Sequence, residues 1–319
     1  MSSITMIPRR ENFPQQGGVR EHLIQLTKCI ESSNKFNIVP FGGSLTHVES
    51  SYNSKDNIRP DIYVCHGGFE PEPIQAVLRN LRDAKLIVSV ARWMVPAYMS
   101  AVTYKTVVIP NGIDLDDFKS EYLQRVETKP GYVLYPKAVP YHMDDVFDIA
   151  GAMPKTKFLT IARIERNKYP NNIRCIGLQS HRWMKNYIRD AACVLLTGPE
   201  VCPKIMLEAW AVGTPVVFHN YDRGAWELTT WGHSHPICVG AIPYRTLPEA
   251  VRAVEVCRDN KAYYGEAGKQ MVADHFQWNK LFKRYEGAYD ALTYGDIAVQ
   301  DFIKAAQKWY TTRPSPLPD

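Results

Sequence analysis

Residues 194–217 read VLLTGPEVCPKIMLEAWAVGTPVV and contain the clearest strand–helix–strand pattern of the chain. The apolar start is long enough for a buried parallel strand, which Thr197-Gly198-Pro199 then breaks into a loop. Pro203 suits the first position of a helix, because a proline lacks the N–H that would have no partner there. Gly213 is predicted to end this helix before a second strand at 216–218. The pattern predicts an α/β fold built on a parallel sheet.

Two carboxylates flank the start of this predicted helix. Glu200 precedes the helix at its positive end, and Glu208 is predicted to lie about two turns inside it. Parallel sheets bind ligands at the carboxyl ends of their strands, so we expect both carboxylates to face one cleft at that edge. By its chemistry alone, such a pair is also suited to acid/base work of the glycosidase kind.

Length and composition indicate an ordinary globular protein with two domains. The chain has 319 residues, of which 45% are apolar and 22% charged. Its apolar runs are shorter than the roughly 18 residues that span a bilayer, and the N-terminus lacks the order of a signal peptide, so we expect a soluble, cytoplasmic protein. The seven cysteines have no C-x-x-C spacing, which predicts reduced thiols and no metal site.

The positive charge of the chain belongs to its second half. Residues 1–128 hold 14 basic and 14 acidic side chains, which leaves 24 basic against 19 acidic in 129–319 and a net charge of +5. Nine basic residues and one acidic residue fall between Lys155 and Arg189. This stretch is suited to a pyrophosphate, a polyanion or peripheral contact with an anionic membrane, and equally to a solvated face neutralised elsewhere in the fold.

Strand and helix signals alternate along the whole chain. Residues 42–60 interrupt this alternation and are predicted to be a long surface loop. The predicted strands are 3–8, 37–41, 61–65, 85–90, 105–110, 132–135, 158–161, 173–177, 193–196, 215–218 and 237–239. The predicted helices are 18–32, 70–82, 96–103, 141–152, 181–190, 203–212, 247–258, 261–275, 278–292 and 297–310.

The alternation predicts two comparable halves joined near a charged linker at 121–130. We expect an N-terminal α/β domain at 1–128 and a C-terminal α/β domain at 129–295. Residues 296–319 are predicted to form a helix that packs back on the N-terminal domain. The two domains are expected to face each other across a cleft.

Two motifs resemble one enzyme family. Glu200-x7-Glu208 followed by AWAVGTPVV is similar to the E-x7-E signature of the retaining glycosyltransferases of family 4. VVIPNGIDLDDF, residues 107–118, resembles the segment that links the two domains in that family, and both motifs stand in the family's order. Weaker agreements are Gly17-Gly18 before a helix, a strand followed by His66, Gly224-x-x-Glu227, and Phe276-Gln-Trp278 before a helix with Tyr285.

The resemblance implies the GT-B architecture of two facing Rossmann-like domains, of which the first would hold the acceptor and the second the nucleotide sugar. The nucleoside diphosphate sugar would be a co-substrate, and no other cofactor is implied. Glu208 would accept hydrogen bonds from the ribose hydroxyls, because a carboxylate can take both vicinal protons. Glu200 would contact the transferred sugar beside the reacting carbon. The backbone of Val201 to Lys204 would approach the sugar at the helix start, where Val-Cys-Pro-Lys stands in place of the family's glycine-rich segment. We therefore expect Cys202, Pro203, Lys204 and Ile205 to determine sugar selectivity.

The remaining implied contacts concern the phosphates and the sugar. Gly17 and Gly18 would bring N–H groups to the phosphates, and His66 would lie near the sugar. Lys137 would neutralise the leaving diphosphate in place of a metal ion. The family usually has a lysine about five residues later, where this chain has His142, so Lys168, Arg163 and Lys204 also remain candidates for the second cation.

The sequence therefore predicts a metal-independent retaining glycosyltransferase that transfers a sugar to an acceptor hydroxyl. Two alternatives remain open: a sugar-nucleotide or glycan-binding protein that has lost the chemistry, and a GT-B enzyme of the phosphorylase or epimerase kind. The acceptor also remains open among a glycan, a lipid-linked molecule, a small molecule and a nucleic acid.

Overall fold

The computed structural model describes residues 2–7, 18–49, 58–66, 74–119, 129–137, 142–164, 169–231 and 239–311. The described chain divides into two compact units. Unit 1 comprises the described residues up to 112 together with 276–311, and unit 2 comprises those within 113–275.

Unit 1 contains a six-stranded parallel sheet in the order β2-β1-β3-β4-β5-β6. Parallel strands need crossovers, and helices supply several of them here. The strands are β1 (Ser2–Ile7), β2 (Phe36–Ile38), β3 (Leu45–Glu49), β4 (Ile62–Cys65), β5 (Leu86–Ser89) and β6 (Thr106–Val108). The helices are α1 (Gly18–Ser32), α2 (Ile74–Asp83) and α3 (Met94–Tyr98), followed by a 3₁₀ helix, Ser100–Lys105.

Unit 2 contains a second six-stranded parallel sheet, in the order β12-β11-β10-β7-β8-β9. Its strands are β7 (Val133–Tyr135), β8 (Phe158–Thr160), β9 (Ile173–Cys175), β10 (Cys193–Leu196), β11 (Val216–His219) and β12 (Ala241–Tyr244). Its helices are α4 (Met143–Ala152), α5 (His181–Asp190), α6 (Lys204–Ala211), α7 (Arg223–Thr229), α8 (Leu247–Asp259) and α9 (Lys261–Met271). Leu115–Phe118 is a 3₁₀ helix, and Val272–Phe276 continues α9 as a π-helical turn.

The turn after α6 shows why the quoted stretch folds as it does. The Thr214 N–H donates to the Ala209 carbonyl at 2.8 Å, and the Gly213 N–H donates to the Trp210 carbonyl at 3.0 Å. Gly213 has a φ of +74°, so these two bonds form a Schellman motif that only a glycine or asparagine accommodates without strain. The turn returns the chain to the sheet at β11, as the sequence predicts.

The division into units differs from the predicted one at two points. The first unit ends at 112 instead of 128, and residues 276–295, predicted to belong to the second domain, belong to the first unit. The helix α10 (Trp278–Tyr294) accounts for the second difference, whereas α11 (Asp296–Thr311) belongs to unit 1 as predicted. α10 packs against α1 and β3, and α11 packs against α10 and β6.

Two predicted elements are corrected by the structure, and one helix was missed. Residues 45–49, predicted to be part of a surface loop, form β3 between β1 and β4 in the sheet of unit 1. The strand predicted at 237–239 is observed at Ala241–Tyr244, while 237 and 238 lie outside the described residues. The helix α7 was not predicted, because its seven residues are too few to show a helical period.

In the described part of the chain, no helix combines the length and the apolar character that crossing a bilayer requires.

Candidate functional site

The sheet of unit 2 changes its direction of growth between β7 and β10. Numbered along the chain, its strands follow the order 3-2-1-4-5-6, which is the order of Rossmann folds. Such sheets bind ligands at this reversal, outside the carboxyl ends of the strands. Lys137 follows β7 and Glu200 follows β10, so two of the predicted site residues lie at the reversal.

Lys137 and Glu200 form an ion pair at this point. Lys137 Nζ lies 3.0 Å from Glu200 Oε1, and the two side chains are 18% and 34% exposed. A Cβ at Gly198 would stand 2.8 Å from His142 Cδ2 and 3.1 Å from Lys137 Nζ. A side chain at this position would therefore displace His142 and Lys137, which both lie against Gly198, and His142 is thus placed where the second cation is expected. Of the other candidates for that role, Arg163 is exposed beyond β8 and Lys168 lies outside the described residues.

Asp222 supports the loop that carries Glu200. Its Oδ1 atom accepts hydrogen bonds from the N–H groups of Ala225, at 2.9 Å, and Glu200, at 3.3 Å. Its Oδ2 atom is buried and has no hydrogen-bond partner among the described residues. Burial, with a smaller contribution from the charge of Glu200, raises the pKa of Asp222 to about 7. The carboxyl group therefore changes its charge near neutral pH.

Replacing Asp222 by asparagine should remove a pH dependence of stability. A carboxyl whose pKa is about 7 in the folded protein and about 4 in the unfolded chain binds more protons when folded between these values, so stability falls as the pH rises through them. Asparagine keeps the acceptor that caps α7 and carries no charge. At pH 8 we expect the free energy of unfolding of Asp222→Asn, measured in urea, to exceed that of the wild type by about 1–3 kcal/mol. At pH 4 the two free energies should be similar. Equal stability of the two proteins at pH 8 would contradict the assignment.

Glu208 lies on α6, closer to its start than the sequence indicates. α6 begins at Lys204, and Pro203 is its N-cap residue instead of its first helical residue. Glu208 is therefore one turn inside the helix and not two. Cys202 and Pro203 are buried, whereas Lys204 and Ile205 are half-buried. The predicted donor-binding residues 202–205 are thus confined to the loop before α6 and its first turn.

A histidine that sequence reasoning missed holds Glu208 in place. His181 Nε2 lies 3.0 Å from Glu208 Oε1, and the Glu208 side chain is only 8% exposed. Burial alone would raise the pKa of Glu208, but the hydrogen bond and charge of His181 and the charges of Lys204 and Lys185 outweigh it and lower the pKa. Glu208 is therefore a charged, oriented acceptor near the surface of unit 2.

The end of the motif at 107–118 positions α5, the helix that carries His181. Lys185, one turn after His181 on α5, donates to the Asp117 carbonyl at 3.1 Å. Its ammonium group also lies 4.4 Å from the centre of the Phe118 ring, and the same ring lies edge-on to His181 at 6.4 Å. The two motifs quoted from the sequence thus meet in unit 2, because Asp117 and Phe118 fix the helix that orients Glu208.

Replacing His181 by alanine should destabilise unit 2 most at neutral pH. The folded pKa of Glu208 is lowered, so its charge stabilises the fold above the unfolded pKa of about 4.3, and this stabilisation is lost as the pH falls through the folded pKa. Without His181 the buried carboxylate loses a hydrogen-bond donor, at a cost of about 1–3 kcal/mol at pH 7. Urea unfolding should show a smaller cost near pH 4, and a smaller cost in a Glu208→Gln background. If His181→Ala lowered the free energy of unfolding by the same amount at pH 4 and pH 7 and in the Glu208→Gln background, the pairing of His181 with Glu208 would be refuted.

A second polar cluster lies in unit 1 around Glu49, the last residue of β3. Glu49 is fully buried, and His66 Nε2 lies 2.6 Å from its Oε2 atom. His47 Nε2 and His22 Nε2 lie 2.7 Å and 3.5 Å from Oε1. Burial would raise the pKa of Glu49, but the charges of His22 and His66 and the hydrogen bond of His47 hold it well below its usual range. We name His22, Glu49 and His66 the His–Glu–His cluster.

The predicted residues of unit 1 are only partly placed. Gly18 begins α1, and His22 follows one turn later, so α1 and His66 meet at Glu49. Gly17 lies outside the described residues. His66 is largely buried against the carboxylate. Its contact with a sugar stays a prediction, as does the approach of Gly17 and Gly18 to phosphates.

Several of the residues above have no motif of their own. His181 follows Ser180, which accepts a hydrogen bond from the Trp183 N–H and caps α5, so the cap was the available signal. Asp222 stands at the same position before α7, a helix too short to be predicted. Glu49 belongs to the alternating segment LTHVE, whose polar residues hid a buried strand.

The basic stretch at 155–189 is not one continuous charged face in the described residues. Lys185 is buried and bound to Asp117, and Arg189 pairs with Asp190 at 2.6 Å. Arg174 lies exposed on the edge strand β9. Contact of this stretch with a membrane stays a prediction, now resting on fewer free charges.

The fold is similar to those of several solved structures. One is the sucrose-phosphate synthase of Thermosynechococcus elongatus, with a TM-score of 0.66 and 11% identity over 92% of this chain and 99% of that chain. Another is Anabaena Alr3699/HepE in complex with UDP and glucose, with a TM-score of 0.67 and 14% identity over 91% of this chain and 100% of that chain. A third is a glycosyltransferase of Rickettsia africae, with a TM-score of 0.65 and 15% identity over 91% of this chain and 98% of that chain. The predicted α/β fold with two Rossmann-like units, as in GT-B glycosyltransferases, is confirmed.

No protein-family model matches the sequence, and no curated protein matches it either.

Proposed function

We propose that this protein is a retaining glycosyltransferase that moves a sugar from a nucleoside diphosphate donor to an acceptor hydroxyl. The observation that carries the proposal is the placement of Lys137 and Glu200 at the strand-order reversal of unit 2, with Glu208 on the adjoining helix α6. The fold is shared with a protein whose structure contains UDP and glucose. The resemblance to family 4 motifs points to the same chemistry.

Each charged group fits one part of such a donor. Glu208 is oriented by His181 and remains charged, so it can accept both protons of a ribose diol. Glu200 would face the sugar, where positive charge develops at the anomeric carbon as the bond to phosphate breaks. Lys137, now paired with Glu200, would turn to the diphosphate when a donor binds.

The leaving diphosphate can be stabilised without a metal ion at that position. Lys137 supplies a full charge, His142 lies beside it, and the first turn of α6 presents the positive end of a helix dipole. We assign the loop 201–203 and the first turn of α6 to the donor, with Cys202 to Ile205 selecting the sugar. The leaving phosphate itself would take the acceptor proton on the face from which it departs, which gives retention.

A donor screen tests this proposal. Thermal unfolding is measured with UDP-, GDP-, ADP- and TDP-sugars, and one of them is expected to raise the melting temperature by mass action. That donor should then be hydrolysed slowly, with release of the nucleoside diphosphate, and added Mg²⁺ should not change its affinity. Glu208→Ala should weaken its binding by about tenfold or more, since a charged hydrogen bond contributes about 1.5–3 kcal/mol.

The control and the opposing outcomes are distinct. Glu255→Ala removes an exposed carboxylate on α8 and should leave donor binding unchanged. Donor binding without release of nucleoside diphosphate would favour a binding protein that has lost the chemistry. Turnover with orthophosphate in place of an alcohol would favour an enzyme of the phosphorylase kind. Inversion of the anomeric configuration in the product would reject retention.

A further inference from the structure

The His–Glu–His cluster lies where the sheet of unit 1 would bind a ligand. That sheet has the order 2-1-3-4-5-6, so its direction of growth reverses between β1 and β3. In flavodoxin-like sheets, which share the start of this order, ligands bind at the same reversal. Glu49 ends β3 at this point, His22 lies in the second turn of α1, and His66 directly follows β4. Three separate elements therefore bring one side chain each to the carboxyl edge.

The ligand atoms of these three side chains are close enough to share one ion. One atom from each of His22, Glu49 and His66 lies within 4.8 Å of the other two. Two atoms bound to the same tetrahedral Zn²⁺ at 2.0–2.1 Å are roughly 3.3 Å apart. The 3.5 Å between His22 Nε2 and Glu49 Oε1 already fits. His66 Nε2 lies 2.6 Å from the other oxygen, Oε2, and for an ion that binds both carboxylate oxygens this distance would have to lengthen by under 1 Å.

We propose that His22, Glu49 and His66 bind a divalent transition-metal ion, with Zn²⁺ as the best-suited probe. The proposal goes beyond the transferase function and rests on unit 1 alone. Two imidazoles and one carboxylate are a ligand set that catalytic zinc sites use, with a fourth position left for water or another ligand. Fe²⁺ accepts the same set, so it is the second ion to be tested.

The neighbours of the cluster form the outer support that metal sites require. The Tyr289 hydroxyl lies 2.9 Å from His47 Nδ1, and His47 Nε2 lies 2.7 Å from Glu49. The two ring nitrogens of His47 thus link Tyr289 and Glu49 in one hydrogen-bonded chain. Trp278 packs edge-on against His22 with 4.9 Å between ring centres. Hydrogen-bonded and packed ligands of this kind are oriented before the metal arrives.

The rival reading is a buried polar network in which protonated histidines balance Glu49 and no ion binds. The two readings differ in metal uptake, because a network has no reason to bind Zn²⁺ stoichiometrically. Metal binding also displaces protons from imidazoles, so affinity for Zn²⁺ should fall as the pH is lowered. Neither measurement depends on a sugar donor. A failure of the metal-site proposal can therefore be distinguished from a failure of the proposed transferase function.

The test uses the full chain, freed of metal by dialysis against a chelator. Titration calorimetry with Zn²⁺ is expected to give one site per chain and a raised melting temperature. Co²⁺ in its place should show d–d bands of a nitrogen- and oxygen-ligated ion, without thiolate charge-transfer bands. A parallel titration with Fe²⁺ under reducing conditions determines which ion binds more tightly.

Matched variants locate the ion. His22→Gln, Glu49→Gln and His66→Gln should each weaken Zn²⁺ binding by about 100-fold or more, because loss of an outer-sphere partner alone costs about 10–100-fold. His47→Gln should cost about 10–100-fold. His219→Gln, a half-buried histidine of unit 2, should bind Zn²⁺ like the wild type.

His66→Gln is the decisive variant, because His66 follows a strand and is the least buried of the three ligands. The His22 and Glu49 variants change more buried side chains and are more prone to misfold, so the test relies on His66→Gln. Near-ultraviolet circular dichroism checks that this variant is folded before it is titrated. The proposal is overturned if the wild type takes up no stoichiometric metal, if folded His66→Gln binds Zn²⁺ unchanged, or if Co²⁺ reports a thiolate ligand.

Discussion

Glu200→Gln is expected to lower the rate of sugar transfer by about 100- to 1,000-fold, the range seen when one electrostatic stabiliser is removed from an active site. Glutamine keeps the shape of the side chain and removes the charge next to the carbon where positive charge develops. The variant also leaves Lys137 without its partner at 3.0 Å, so the diphosphate meets less competition for the ammonium group. We therefore expect donor affinity to be kept or increased while turnover falls.

The measurement is the turnover number at saturating donor, together with the dissociation constant of the nucleoside diphosphate. Glu255→Gln makes the same chemical change on an exposed face of α8 and should keep both values. Because KM alone mixes binding and chemistry, binding is measured separately by calorimetry. If Glu200→Gln had the turnover number of the wild type, the assignment of this carboxylate to the reacting sugar would be rejected.

Gly224→Ala is expected to cause the largest structural change of any small substitution at the site. A Cβ at Gly224 would stand 2.4 Å from the carbonyl oxygens of both Glu200 and Val201. Backbone atoms cannot yield as the end of a flexible side chain does, so either α7 or the loop 200–203 has to move. Such overpacking typically costs 1–3 kcal/mol, and here it also displaces Glu200. A misplacement of about 1 Å can lower a catalytic rate by about 100-fold.

Gly151→Ala provides the matched control. Gly151 lies in the last turn of α4, and a Cβ there would have no atom within 4 Å. The substitution should stabilise the protein slightly, by up to about 1 kcal/mol, because alanine is the better helix former. Urea unfolding and turnover are compared for the two variants and the wild type. If Gly224→Ala kept both its stability and its turnover, the close approach of α7 to the loop would be disproved.

The sequence was sufficient for most strands and helices, because apolar runs and caps determine them locally. It failed at β3, where burial of His47 and Glu49 depends on histidines and a tyrosine far away in the chain. Polar residues at buried strand positions favour the prediction of a loop when their hydrogen-bond partners are unknown. The same reason explains why α10 was assigned to the wrong unit, since a helical period does not say which sheet it covers.

The candidate site could be predicted where a residue follows a strand or begins a helix. Lys137, Glu200 and Glu208 belong to such positions, and the structure brings the first two together. The contacts of His181 with Glu208 and of Asp222 with Glu200 could not be predicted, because the partners lie 27 and 22 residues apart in the chain. Roles toward a donor depend on a ligand and stay predictions for all of them.

The order of the units along the chain has a consequence for biosynthesis. Unit 2 is continuous, whereas unit 1 needs α10 and α11 to cover its sheet. The bond between Tyr289 and His47 closes a loop of 242 residues. A ribosome delivers the whole of unit 2 before it delivers Tyr289, and domains generally fold as units during synthesis. We expect the nascent chain to expose part of the sheet of unit 1 until α10 and α11 have left the ribosome, and this stage to be the one most dependent on chaperones.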